Sequence, residues 1–155
     1  MGKSNFQDLK RELAPSVRND VKNLIAKKGL PAAYKGGSCG TSSNDDDSLY
    51  INLDVMTNKG TVKVYISFRY NLERLFGLSS FLPLDKRAKI NAYDYFGFRK
   101  RLGLARIRIM RAVYEVINDV LVNPDVLNHI ESVRSVDADI DESKPDILYT
   151  VLPKY

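Results

Sequence analysis

The chain has 155 residues, of which 44% are hydrophobic and 28% are charged, close to the averages for folded globular domains. This composition excludes a disordered chain and a fibrous protein, and the single cysteine, Cys39, excludes a disulfide scaffold. The apolar runs are all shorter than the about 18 residues that a membrane-spanning helix needs. We therefore expect a single domain over residues 1–155 that has no membrane partner.

Charge is divided unevenly along the sequence. The net charge is +5, but residues 71–111 contain ten Lys or Arg and three Asp or Glu, whereas residues 112–155 contain three Lys or Arg and nine Asp or Glu. The two segments can neutralise each other within one domain, they can lie on solvated faces, or the basic segment can bind a polyanion. A further possibility is that the basic segment of one copy docks on the acidic segment of the next, in which case added salt should weaken the contact.

The first predicted element is an amphipathic helix. Ser4 and Gln7 form a capping box, and apolar residues then recur at steps of three and four. The stripe consists of Phe6, Leu9, Leu13, Val17, Val21, Leu24 and Ile25. Pro15 interrupts the stripe and predicts a kink or two short helices, and Gly29 with Pro31 predicts the end of the element.

A loop and a hairpin are predicted next. Residues 35–48 have no periodicity and are rich in Gly, Ser and Asp, which predicts a mobile loop. Apolar and polar residues alternate over 49–69 on either side of a turn at 57–60, so one face of this hairpin belongs to the core. The other face carries Tyr50, Lys63, Tyr65 and Arg69. That face is a candidate binding surface.

A long helix is predicted in the second half of the chain. Residues 78–103 form a basic and aromatic insertion broken by Pro83. Residues 104–122 fit an amphipathic helix, although the alternation in the first six of them leaves a strand as an alternative. Asn123 and Pro124 stop this helix and begin a short one.

The closing part of the chain completes the predicted fold. The short helix is expected to run through Ile130, and alternation over 136–140 and 147–151 predicts two more strands. The predicted fold class is therefore α+β: an amphipathic N-terminal helix or helices, two β-hairpins that form a mostly antiparallel sheet, and a long helix packed against it.

The motifs that carry common enzyme chemistries are incomplete. The glycines at 36–40 are not followed by the Lys of a phosphate-binding loop. Asp137, Asp139 and Asp141 have the spacing of a calcium loop but lack its Gly and its final Glu. His129 is the only histidine and has no flanking motif that would activate a nucleophile. We therefore expect a protein that is not an enzyme, with no catalytic residues, no metal and no cofactor.

A basic and aromatic stretch is the main candidate contact site. Four aromatic residues over 93–98 precede a run of basic residues, an arrangement that can stack on bases and hold phosphates. The aromatic residues can equally belong to the core, with the arginines at its rim. The candidate contact residues are Lys63, Arg69, Arg99, Lys100, Arg101, Arg106, Arg108 and Arg111.

The layout of the chain resembles that of the small ring-forming proteins of tailed-phage necks and tails, the tail-terminator and tail-completion proteins. The corresponding pieces are the start of the first helix at 6–13, the hairpin 49–69, the helix 104–122 and the closing segment 147–155. The resemblance implies a structural subunit located in the virion, and in the host cytoplasm during assembly. Its partners would be other copies of itself and neighbouring virion proteins.

Two functions of different classes follow from the sequence. The first is a non-enzymatic assembly subunit of a virion, such as a head–tail connector, neck or tail ring component, which associates through charged faces. The second is a small basic nucleic-acid-binding protein that contacts DNA through residues 86–111. The incomplete enzyme motifs, the opposite charges of the two segments and the long polar loop favour the first.

Overall fold

The computed structural model describes residues 6–39, 49–68, 95–141 and 144–154. The helices are α1 (Phe6–Lys28), α2 (Tyr95–Val122) and α3 (Pro124–Leu127), followed by a 3-10 helix (Ile130–Ser132). The strands are β1 (Ala32–Cys39), β2 (Leu49–Thr57), β3 (Gly60–Phe68), β4 (Val133–Ile140) and β5 (Leu148–Pro153). The fold class is α+β, as predicted.

The five strands form one mixed sheet in the order β1-β2-β3-β4-β5. All neighbouring strands are antiparallel except β3 and β4, which are parallel. A parallel pair needs a crossover connection, and α2 lies in this one. Strands β1 and β5 are the edges of the sheet.

Both long helices cover the same face of the sheet. Alternate residues of β2, β3 and most of β4 are buried on this face. Each strand therefore has one apolar and one polar face, as its alternation predicts. Helix α1 packs on β1 and on α2, and α2 also packs on β2. The core residues with the least exposure include Leu13, Val21, Val55, Val64, Ile66, Ile109, Val113 and Ile117.

Pro15 lies inside one continuous helix, so the prediction of two short helices is wrong. Its side chain is on the exposed side of α1, whereas Leu13 and Val17 on either side of it are buried in the core. Packing of the apolar face thus holds both halves of the helix together despite the missing backbone donor. Gly29, with a φ of 61°, ends the helix as predicted.

Strand β1 overturns part of the loop predicted over 35–48. Lys35 belongs to the strand at a register irregularity, residues 36–39 are paired with β2, and 40–48 lie outside the described residues. The glycines that suggested a loop are compatible with this strand because the backbones approach closely. A Cβ on Gly37 would lie 2.6 Å from the carbonyl oxygen of Tyr50, so only glycine fits at this register.

Helix α2 begins at Tyr95, and the strand alternative for its first residues is wrong. Residues 95–103 of the predicted insertion belong to this helix, and 78–94 lie outside the described residues. Ala105, Ile109 and Val113 are all fully buried, so the helical period continues through the segment whose alternation was ambiguous.

The end of the chain confirms the second hairpin as β4 and β5. Before it, the Asn123 Oδ1 accepts a hydrogen bond of 2.9 Å from the Asp125 backbone and caps α3. Helix α3 ends at Leu127, earlier than the predicted Ile130. Among the helices of the described ranges, none is both long and apolar enough to cross a membrane.

Candidate functional site

The large hydrophobic side chains that are exposed in the described ranges lie on two surfaces. Four belong to the sheet face that points away from the helices, and four belong to α2. The first set is Tyr50, Met56, Tyr65 and Leu148, and the second is Leu104, Ile107, Tyr114 and Val122. Because apolar surface is costly to leave in water, these two surfaces are the leading candidates for contact with a partner.

The sheet face away from the helices, the outer sheet face, is a shallow surface with aromatic and charged side chains. Tyr65 lies between Asn52 on β2 and Asp137 on β4, and Tyr50 is its diagonal neighbour. An open depression of about 620 Å³ occupies this face. It is lined by Tyr50, Asn52, Lys63, Tyr65, Ser67, Arg134, Ser135, Asp137 and Leu152.

Charge on the outer sheet face changes sign along the strands. Lys63 lies opposite Asp54 on β2 and Ser135 on β4. Arg134, at a register irregularity of β4, lines the same depression as Lys63. The acidic Asp137 and Asp139 lie further along, opposite Tyr65 and Ser67. The face therefore has a basic end and an acidic end. The candidate contact residue Lys63 is exposed at the basic end.

The Asp54 carboxylate at this end forms an ion pair with Lys35 of β1. The Lys35 Nζ lies 3.7 Å from the Asp54 Oδ2, and the lysine side chain is 57% exposed. An ion pair this exposed contributes little to stability. Lys35 can therefore exchange this contact for one with a partner at little cost.

Arg106, another candidate contact residue, binds Asp20 of α1. Its Nε and Nη2 donate to the Asp20 Oδ2 and Oδ1 at 2.7 and 2.8 Å. These hydrogen bonds raise the pKa of Arg106 above its ordinary value. The pairing is bidentate and half-buried, so Arg106 serves the contact between α1 and α2.

Arg108 and Arg111 lie beside the turn between β4 and β5. With Asp141 and Asp146 of that turn they line an open cavity of about 370 Å³ on the flank of α2, which Glu115 also lines. Part of the basic segment and part of the acidic segment thus meet within one chain. This proximity within one chain is what the intramolecular alternative predicts.

The remaining candidate residues are near the start of α2. Arg99 and Lys100 are exposed and Arg101 is half-buried, whereas Arg69 lies outside the described residues. Exposed arginines and a lysine on a helix can contact a carboxylate or a phosphate equally well.

Tyr149 links the last strand to α2. Its hydroxyl donates to the Asp119 Oδ2 at 2.5 Å. Burial, and then this hydrogen bond, raise the pKa of Tyr149 well above its ordinary value. The pair fixes β5 against the helix, and no local sequence pattern indicates it.

His129 is exposed between α3 and the 3-10 helix, not on the short helix where the sequence placed it. It lines an open depression with Lys59 and Glu131. Over the ranges that the structure describes, no three His, Cys, Asp or Glu side chains converge on a point where a metal could bind.

The exposed apolar residues of α2 are the main feature that the sequence analysis missed. The spacing from Leu104 to Ile107, Arg111 and Tyr114 is three, four and three residues, which is itself a helical stripe. It went unnoticed because the stripe of Ile109, Val113 and their neighbours was already assigned to the core.

Comparison of the chain with protein-family models, with curated proteins and with solved structures finds no match.

Proposed function

We propose that this protein is a non-enzymatic structural subunit of a virion, a component of a head–tail connector, neck or tail ring. It associates with copies of itself or with neighbouring subunits through its charged faces. The observation that carries the proposal is the outer sheet face, which the described residues leave uncovered while both long helices cover the opposite face.

The composition of the outer sheet face is suited to a protein partner. Tyr50 and Tyr65 are 45% and 39% exposed, and tyrosine is enriched at the centres of protein interfaces. The charges of both signs around them give such a contact a preferred orientation. A face of this kind fits a neighbouring subunit of complementary charge better than a uniformly negative polymer.

The order of the elements gives further support. A leading helix, antiparallel strands, a second long helix and two closing strands follow one another in the order that the phage neck and tail resemblance implies. Strand β1 adds one strand before the hairpin. The edges of the sheet are β1 and β5, and no other strand of the described residues pairs with them. A strand of a neighbouring chain can therefore pair with the sheet at either edge.

Mass photometry of the purified protein tests the proposal. We expect the wild type to form defined oligomers and Lys63→Glu to shift them to smaller species, because it removes a basic group from the outer sheet face. Lys22→Glu is the matched control, since Lys22 is an exposed lysine of α1. An oligomer distribution that Lys63→Glu leaves unchanged would remove this face from the contact.

Nucleic-acid binding is the second candidate, favoured by exposed Arg99 and Lys100 beside Arg101. If these residues hold phosphates, replacing all three with Ala should lower DNA affinity for every sequence. The slope of log affinity against log salt should also shrink by about 0.7–0.9 per lost phosphate contact. A wild-type monomer that binds DNA tightly at physiological salt would favour this function over assembly.

A further inference from the structure

A mostly apolar stripe on the solvent side of α2 forms a surface of its own. It consists of Leu104, Ile107, Arg111, Tyr114, Asn118 and Val122, hereafter the α2 ridge. Ile107 and Val122 are 60% and 72% exposed. At 100° per residue these positions point away from the buried stripe of the same helix, so the α2 ridge faces away from the core.

The two halves of the α2 ridge have opposite charge. Arg111 is exposed in the first half of the ridge, and Glu115, one helical turn later, is exposed along the edge of its second half. A neighbour with the reverse charge order would place an opposite charge beside each of them.

We propose that the α2 ridge binds the α2 ridge of a second copy in antiparallel orientation. In this orientation the basic half of each helix lies against the acidic half of the other, and the two helix dipoles oppose each other. Parallel pairing would instead place basic against basic and acidic against acidic. The antiparallel contact is self-complementary, because each residue pair occurs twice about a two-fold axis.

The centre of the contact falls near Arg111 and Tyr114. A guanidinium over a tyrosine ring is a favourable cation–π pair, and antiparallel pairing forms it twice. The apolar ends, Leu104 and Val122, are about 27 Å apart along the helix and approach each other across the pair. Steps of three and four residues match the packing geometry of helices that cross at about 20°.

This contact uses a different surface from the outer sheet face, on which the proposed function rests. Analytical ultracentrifugation of charge-reversed variants tests it. Arg111→Glu makes the centre of the ridge uniformly acidic, and Glu115→Lys makes it uniformly basic. We expect each variant alone to dimerise at least about tenfold more weakly than the wild type, and an equal mixture of the two to regain the wild-type affinity.

A folding defect in either variant would persist in the mixture. Recovery of the affinity in the mixture therefore shows that the two altered charges pair with each other across the contact. Ile107→Glu should abolish the dimer, whereas Lys22→Glu, a charge reversal on the exposed side of α1, should leave it intact. A monomeric wild type at high micromolar concentration would contradict the contact. Variants that dimerise as the wild type does, or a mixture no stronger than its components, would do so too.

Cysteine cross-linking tests the orientation. In a Cys39→Ser background, Leu104→Cys and Val122→Cys each place one thiol at an end of the ridge. Because a disulfide needs Cα atoms within about 7 Å of each other, antiparallel pairing predicts a cross-link only between the two variants in a mixture. Self-linked dimers of each variant alone, and none across the mixture, would contradict the antiparallel arrangement.

Discussion

The side-chain contacts that define this structure join residues far apart in the chain. Arg106 binds a carboxylate 86 residues away, and Tyr149 donates to one 30 residues away. Neither pair leaves a local pattern, so the sequence indicated only that Arg106 was a candidate contact residue. Its internal partner Asp20 could not be identified before the position of α1 beside α2 was known.

Replacing Tyr149 with Phe should destabilise the protein by about 1–2 kcal/mol at neutral pH, because Asp119 would keep its partly buried position without this donor. Chemical denaturation measures the free energy of unfolding. Tyr114→Phe is the matched control on an exposed ring, with an expected change below about 0.5 kcal/mol. If the two substitutions change the free energy of unfolding equally, the hydrogen bond from Tyr149 to Asp119 does not stabilise the packing of β5 against α2.

The same pair predicts a pH dependence with a definite sign. Since the folded pKa of Tyr149 lies above its ordinary value of 10.0, the unfolded chain releases this proton first as the pH rises. The stabilisation is therefore fully present below about pH 10 and declines above it. The stability difference between wild type and Tyr149→Phe should be constant from neutral pH to about pH 10 and then shrink. A stability difference between the two proteins that grows above about pH 10 would contradict the assignment.

At the scale of the elements, hydrophobic period predicted most of the fold. Strong alternation identified β2 and β3, and the stripe of Leu13, Val17 and Val21 identified α1. Strand β1 was missed because Gly36 and Gly37 are typical of loops, while the close approach to β2 that favours glycine depends on tertiary pairing. The sequence indicated which segments are charged. Which of these charged residues contact other residues of the chain, and which lie on the exposed surface, became clear only from the fold.

The contact between α1 and α2 should depend on the pair of Arg106 and Asp20. We expect Arg106→Ala or Asp20→Ala to cost about 1–2 kcal/mol, which is below the value for a fully buried pair because the arginine is partly exposed. The double mutant should show a coupling of about 1 kcal/mol. The exposed pair of Lys35 and Asp54 is the control, with a coupling below about 0.5 kcal/mol. Similar coupling in both pairs would contradict a special role for Arg106.

At the scale of the whole molecule, the two exposed apolar surfaces lie on opposite layers. One is the outer sheet face and the other is the α2 ridge, and each carries charge of both signs. A subunit with two such surfaces can contact two neighbours at once, which a ring or a connector requires. The opposite charges of the two chain segments meet in part within the chain, at the cavity that Arg108 and Asp141 both line.

The central claim is that this protein associates with copies of itself or neighbouring subunits through charged faces, and salt-dependent mass photometry of the wild type tests it most directly. Between about 0.1 M and 1 M salt the Debye length falls from about 10 Å to about 3 Å, so contacts between exposed charges weaken. We predict defined oligomers at the lower concentration and a shift towards smaller species at the higher one. Monomers at both concentrations would contradict self-association, and oligomers indifferent to salt would contradict the role of charge.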